Sequence, residues 1–599
     1  MKIGYFQLFF PIKNCPIPEI FFNSKAKKKL FENDAENIKE NCINHANKIV
    51  NGYFQWFNNK SYFVKFPPDW HQDPISGEKY PKGLHWSNEN SYFNSDIKRI
   101  WELSRWSWLP LLARAAKYTD DTKFIDAINF LIKDWCINNQ LNSSPNWICA
   151  QEVSIRMIHA FQSWQILEGG DMIPKKTKSR KDFIVMHLER ILSTLDYALA
   201  QDNNHSISEA AALYIGGGWL GQKRFCDLGR RLLERNVYKL IMMDGSFSQY
   251  STNYHRLVID TLTQVEIFRK ISGLEKFSEK FYKKFNLAIE WLFYFIDNES
   301  GEVPNLGGND GAYCYKLNSL EYKNFKPSIQ IANMLLNNQK IYKSGPWDEQ
   351  FYWYESSRIF KKDISVINKK RDKFKFFHEG GYFVISPNKE NWAILRLPNF
   401  KFRPSQSDVF HFDLWSKGKN ILKDSGSYSY KQETDYSNYF SGIKGHNTVE
   451  IDEKEPMTKL GTFLWGDWSQ NYQKPIVNKT KNFYEFKFIN KYHGIIHKRN
   501  IKVSIDGNNW QIEDKVTGIK KVAILRWRLA NFNWSMFENK LISERASLII
   551  KSKNNLNSLK LSDGFESLFY DSKQTTPILE ALFETNYLEV VTEVSLNNI

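Results

Sequence analysis

This chain has little cysteine: its six, Cys15, Cys42, Cys136, Cys149, Cys226 and Cys314, lie far apart along 599 residues. The spacing excludes a zinc knuckle and a disulfide framework, and predicts free, buried thiols. Long apolar runs are also missing, since nothing approaches the roughly 18 residues needed to cross a bilayer. The apolar patch of Met1 to Pro11 is interrupted by Gln7 and has no small-residue cleavage site. On sequence alone the chain therefore reads as soluble, cytoplasmic and without a membrane span. Nucleic-acid signatures are absent as well. The basic runs Lys25–Lys29, Lys175–Lys178 and Lys369–Lys373 sit in no zinc finger, basic zipper or RNA-recognition motif, which argues against nucleic acid as a partner.

What is present is positive charge and aromatic bulk. The unusual quantities are 16% Phe, Trp and Tyr and a formal charge of +16, and the charge favours a polyanion: nucleic acid, an anionic membrane face or an acidic polysaccharide, among which charge alone does not choose. The length exceeds one hydrophobic core. From about Asn33 to Gln339 apolar residues recur at helical spacing, as in Ile97–Trp106 and Phe124–Trp135, with breakers at Asn142–Pro145, Glu168–Asp171, Gly216–Gly218 and Gly307–Gly308. Helices in long succession with short loops pack as hairpins that close into a ring. After about Lys370 the pattern alternates, as in Gly381–Ser386 and Val522–Arg528, with turns such as Asp506–Asn509. The reading is a multidomain α+β chain. Residues 1–345 are expected to form an α/α toroid-like domain, 346–373 a linker and 374–599 an antiparallel β-sandwich.

Two stretches carry chemistry. Asp202-Asn203-Asn204-His205 opens a helical run and sets an amide beside an imidazole, a pair able to bind and partly neutralise a carboxylate. Asp244 to Arg256 ends in Asn253-Tyr254-His255-Arg256. There His255 and Arg256 are expected to favour the phenolate of Tyr254 and lower its pKa. Together they are equipment for proton abstraction beside a carboxylate. Each has a plainer reading: Asn204 as a helix N-cap, Tyr254 as a core tyrosine, and Trp101, Trp106 and Trp147 as core rather than sugar platforms.

Six motifs in order resemble the heparinase II/III-like polysaccharide lyases: Asp96–Arg105; Asn146-Trp147 with Glu152 and Arg156; Asn203-Asn204-His205; Asp244-Gly245-Ser246 through Arg256; His411-Phe412-Asp413; and His446–Val449. The resemblance implies the toroid and sandwich already read, and β-elimination at a uronate. Catalytic roles then fall to Asn204, Tyr254 and His411, and substrate binding to His205, Arg105, Asn146, Trp147, His255 and Arg256. Asn204 would hold the carboxylate as an oxyanion hole does, one such donor contributing roughly 3 to 4 kcal/mol. Tyr254 would be the acid and, for some stereochemistries, also the base. His411 would reach a cleft between the domains as base or as a further carboxylate donor. A heparan-sulfate-like glycan is the first substrate expected, alginate or another bacterial uronan the second. A carbohydrate-binding protein without chemistry is the competing class. Related lyases are commonly periplasmic or secreted, against the cytoplasmic reading.

No organic cofactor is expected. Asp413, Asp424 and His446 resemble ligands for a structural divalent cation, with zinc, calcium and manganese all open.

Overall fold

The computed structural model describes residues 11–24, 35–88 and 93–597, apart from 357, 362, 368, 432–433, 462–463, 469–470 and 473. The patch before Pro11 and the Lys25–Lys29 run lie outside the described residues. The chain divides into two compact units that interleave along the sequence. A helical unit comprises Met1–Ile241, Arg256–Ile289 and Ala312–Lys369, and a sheet unit comprises Met242–His255, Glu290–Gly311 and Lys370–Ile599.

In the helical unit, Trp108–Thr119, Thr122–Asn138, Ala150–Glu168, Lys178–Leu192, His205–Leu220 and Lys223–Leu240 follow one another with short connections. Helix Ala150–Glu168 is buried along its whole length, as a helix enclosed on every side must be. The Gly216–Gly218 triplet, expected to separate helices, lies inside His205–Leu220. A Cβ on Gly217 would sit 2.4 Å from Cys226 N, and one on Gly229 would sit 2.4 Å from Tyr214 N. Close approach of two helices therefore outweighs the roughly 1 kcal/mol that each glycine costs a helix.

The expected linker is folded. Glu349 is buried, accepts hydrogen bonds from Tyr118 Oη at 2.9 Å and Ser319 N–H at 2.6 Å, and pairs with Arg114 at 3.3 Å.

The sheet unit opens with a meander of β1 (Phe374–Phe377), β2 (Tyr382–Ile385), β3 (Asn391–Arg396), β4 (Phe412–Ser416) and β5 (Lys419–Leu422), paired in that order. The next strands are β6 (Val449–Ile451), β7 (Phe483–Tyr492), β8 (Ile495–Ser504), β9 (Asn509–Thr517), β10 (Val522–Arg528), β11 (Ala546–Ser552), β12 (Ser558–Phe569), β13 (Ser572–Glu584) and β14 (Tyr587–Leu596). One antiparallel sheet runs β7-β8-β9-β14-β11, with shorter strands at both edges, and another runs β6-β10-β13-β12. Burial alternates strictly along β7 and β14, so one face of each is core and the other is not. Phe412, Trp510 and Trp527 pack at 6.0 and 6.3 Å in that core. The turn at Asp506–Asn509 joins β8 to β9 as expected, with Gly507 at φ +76°.

The segments 242–255 and 290–311, expected within the helical domain, belong instead to the sheet unit. Asp244 accepts the Gly380 N–H at 2.9 Å, and Trp392 donates to Asp297 at 3.0 Å. The architecture is an incomplete α/α toroid followed by an antiparallel β-sandwich.

Candidate functional site

In the helical unit, Asn204 is the residue before helix His205–Leu220, yet its side chain makes no capping bond. Asn203 does that work, accepting the His205 N–H on Oδ1 at 3.0 Å. The N-cap reading thus falls on Asn203, not Asn204. One turn on, Glu209 Oε1 lies 3.7 Å from His205 Nδ1. Burial pushes the Glu209 carboxyl up while His205 and Arg190 pull it down, and its Oε2 is buried without a hydrogen bond. The imidazole side chain is a quarter exposed. Glu209 stands four residues from His205, the spacing that puts two side chains on one helix face.

Four of the expected substrate-binding residues are committed to the protein interior instead. Arg105 is buried and bidentate on Glu152, through Nε at 2.5 Å and Nη2 at 2.9 Å, with Nη1 on Glu102 at 2.9 Å. Asn146 is buried, donating to Asn139 Oδ1 at 2.8 Å and Trp70 O at 3.2 Å. Trp147 is 0% exposed. The guanidinium of Arg156 lies over its ring at 4.8 Å and over that of Trp135 at 4.5 Å. Arg156, a cation with no carboxylate in its hydrogen bonds, is pushed down to about 9 by burial. The Arg256 guanidinium is enclosed by Tyr313, Tyr322 and Phe325 at 4.2, 4.2 and 3.9 Å. Trp106 is also core, stacked on Phe183, whereas Trp101 stays half-buried. These motifs hold the helical framework together: a bidentate Arg–Glu pair and a tryptophan-clamped arginine fix three helices and a loop.

In the sheet unit, Tyr254 stands in the first turn of helix Thr252–Ile271. Its N–H donates to Ser251 Oγ at 3.1 Å, and that hydroxyl donates to Gly308 O at 2.5 Å. The phenol is buried. Its hydroxyl meets that of Tyr430, which sequence reasoning missed because nothing in the local pattern marks it. Contrary to expectation, the Tyr254 pKa is raised well above the ordinary tyrosine value, by burial first and then by Asp310 and Tyr430. His255 is buried with its ring stacked on Trp291 at 4.3 Å, and it is not among the groups that move the Tyr254 pKa most. Tyr254 therefore keeps its proton at neutral pH and is equipped as an acid.

His411, Asp424 and His446 form a second, fully buried group whose ligand atoms lie within 4.8 Å of one another. His446 Nδ1 is 2.8 Å from Asp424 Oδ2, and His411 Nε2 is 3.5 Å from both Asp424 Oδ2 and Asp413 Oδ2. Asp424 holds the His446 pKa up against burial. The Asn447 N–H donates to His411 Nδ1 at 3.0 Å. Of the expected ligands, Asp424 and His446 lie in this group together with His411, whereas Asp413 accepts the Trp415 indole N–H on Oδ1 at 2.6 Å. His411 Nε2 and His446 Nε2 are buried without hydrogen-bond partners. Two imidazoles and a carboxylate with orphaned ring nitrogens fit a divalent cation.

A helical toroid joined to an antiparallel sandwich, with an amide-imidazole pair in one unit and a protonated tyrosine in the other, defines the class of the protein. The family model for the heparinase II/III N-terminus matches residues 20–323, and that for the heparinase II/III-like C-terminal region matches 369–581. The chain belongs to the heparinase II/III family. It is 23% identical over 417 residues to a heparin-sulfate lyase of Bacteroides thetaiotaomicron, covering 64% of this chain and 56% of that protein. To a heparin-sulfate lyase of Bacteroides stercoris it is 20% identical over 488 residues, covering 76% and 66%. The chain thus spans just under two thirds or less of the length of these relatives. Its fold is similar to that of heparinase III, with a TM-score of 0.67, 18% identity, and 94% and 85% of the two chains covered. A chondroitin AC lyase of Streptomyces coelicolor shares the fold at a TM-score of 0.53 and 10% identity, covering 94% and 80%. No helix among the described residues is long and apolar enough to cross a membrane.

Proposed function

We propose that this protein is a polysaccharide lyase that cleaves a uronate-containing acidic glycan, of the heparan-sulfate class, by β-elimination. The observation that carries the reading is Tyr254. A buried phenol that holds its proton at neutral pH, in a family whose named relatives are heparin-sulfate lyases, is a proton donor for a leaving glycosidic oxygen. Asn204, whose side chain makes no capping bond to its helix, supplies an amide for the carboxylate, and stabilises the developing charge more than the resting acid. His205, partly exposed and backed by Glu209, is better disposed to accept the ring proton than His411. The latter is sealed at 0% exposure with Nδ1 occupied. The formal charge of +16 suits an anionic polymer and steers its approach.

We also propose a divalent cation at His411, Asp424 and His446, needing no organic cofactor beside it. Such an ion would supply fixed positive charge that ties together the β4 and His446 segments. The six free cysteines favour a reducing, cytoplasmic compartment.

The test is ultraviolet absorbance of the unsaturated uronate during incubation with heparan sulfate, heparosan, hyaluronan, chondroitin, alginate and polyglucuronate. A rise with heparan sulfate that disappears in Tyr254→Phe and Asn204→Ala is the expected result. No rise with any polymer from folded protein, together with glycan binding, would replace the lyase reading with a binding protein.

A further inference from the structure

Tyr254 delivers its proton from a buried position, so each turnover must return one to a phenolate shut away from solvent. Tyr430 is the residue in contact with it. Its hydroxyl touches that of Tyr254, and its side chain is half-buried rather than buried. The placement is held from several sides. The Tyr430 N–H donates to Tyr570 Oη at 3.0 Å, and the two rings meet edge to face at 5.4 Å. Asp571 N–H donates to Tyr428 O at 3.0 Å, joining the β12–β13 turn to the same loop. Asn309 N–H donates to Ser427 Oγ at 2.9 Å. Gly308 leaves the pair its space: a Cβ there would lie 3.2 Å from both the Tyr254 ring edge and Tyr430 Oη.

Resting on the assignment of Tyr254 as the acid, we propose that Tyr430 is its proton relay, acting through Tyr254 and not on the sugar. In the elimination the Tyr254 O–H bond breaks as the proton goes to the leaving glycosidic oxygen. The phenolate then takes the Tyr430 proton, so one O–H bond breaks at Tyr430 and one forms at Tyr254. Tyr430 recovers its proton from water or a buffer acid at the surface. No oxidant, metal or further reactant enters the balance. While Tyr254 is ionised, the Tyr430 hydroxyl also stabilises it as a charge-assisted donor, the stronger kind of hydrogen bond.

The experiment compares kcat and KM of wild type, Tyr254→Phe, Tyr430→Phe and the double variant, with melting curves to verify folding, in buffers of low and high acid concentration. Tyr430→Phe is expected to lose about tenfold or more in kcat with KM little changed. A small buffer acid should restore part of that loss, which a merely structural role would not allow. The double variant should be no worse than Tyr254→Phe. Wild-type kcat in Tyr430→Phe, or a loss that buffer acid leaves untouched, overturns the relay while the Tyr254 assignment stands. Activity surviving in Tyr254→Phe removes that assignment and the relay with it. Should Tyr430→Phe fail to fold, Gly308→Ala wedges the pair apart and is expected to show the same buffer-dependent loss; its absence overturns the relay equally.

Discussion

Arg499 in β8 is the buried cation on which the His411 segment depends, and Arg499→Met tests that dependence. Its Nε and Nη2 hold Asp514 of β9 at 2.7 and 2.9 Å, while Nη1 donates to Asn447 O at 2.9 Å and to Phe410 O. Both Arg499 and Asp514 are 0% exposed. Removing the guanidinium leaves the Asp514 charge beside His497 Nε2 at 2.7 Å, on a ring whose pKa burial lowers. Losing one partner of a buried pair costs about 3–5 kcal/mol. The carbonyls of Phe410 and Asn447 lose charge-assisted bonds besides, so the upper part of that range is expected. Phe410 precedes His411 and the Asn447 N–H donates to its Nδ1, so activity should fall in conditions where the variant is still folded. The assay is urea denaturation followed by tryptophan fluorescence, with turnover measured below the transition. The acid side gives an independent measure. Asp514 is pulled down to about 2, its opposing burial outweighed by Arg499 and His497. A depressed carboxylate stabilises above its unfolded value near 4 and loses that contribution as pH falls towards 2, about 2 kcal/mol for a shift of this size. Asp514→Asn should lack that part of the acid dependence. A loss under about 1 kcal/mol in Arg499→Met, with turnover intact, would falsify the account.

Trp147→Ala should cost about 3–5 kcal/mol of stability, as large core truncations do, and leave KM of the surviving folded protein near wild type; a raised KM with unchanged melting would return Trp147 to the substrate. Asp260, fully buried and pushed up to about 7 by desolvation, penalises the folded state once it ionises. Asp260→Asn is therefore expected to raise the melting temperature at pH 8 but not at pH 4, and equal shifts at both would count against it. Glu209→Gln keeps the volume but removes the carboxylate beside His205 Nδ1, so kcat should fall with KM little changed; an unchanged kcat would separate Glu209 from proton transfer. Metal analysis of the purified protein should find a divalent ion, and chelation should lower the melting temperature of wild type but not of Asp424→Asn with His446→Ala, while equal melting in all cases would remove the cation.

How much of the site was legible depends on the range over which each residue acts. Helical and alternating periodicities are local, so the toroid, the sandwich and the Asp506–Asn509 turn could be read directly. Asn204, His205 and Tyr254 were found as residue types in ordered motifs. Local spacing could not say which motif residues face outward. Arg105 meets Glu152 across 47 positions and Trp147 closes over Arg156, so side chains typical of sugar contacts became framework. The Gly216–Gly218 triplet failed as a breaker for the same reason, because close packing against Lys223–Leu240 is worth more than propensity.

By itself, then, the sequence determined the two architectures, the family motifs and the chemistry those residue types allow, since each is written in short-range pattern. Tertiary structure alone decided the protonation of Tyr254, the company of His411 and the partnership of Tyr254 with Tyr430 across 176 positions. Burial, local charge and contact are properties of a site in space, and a pKa follows them rather than the neighbours in the chain.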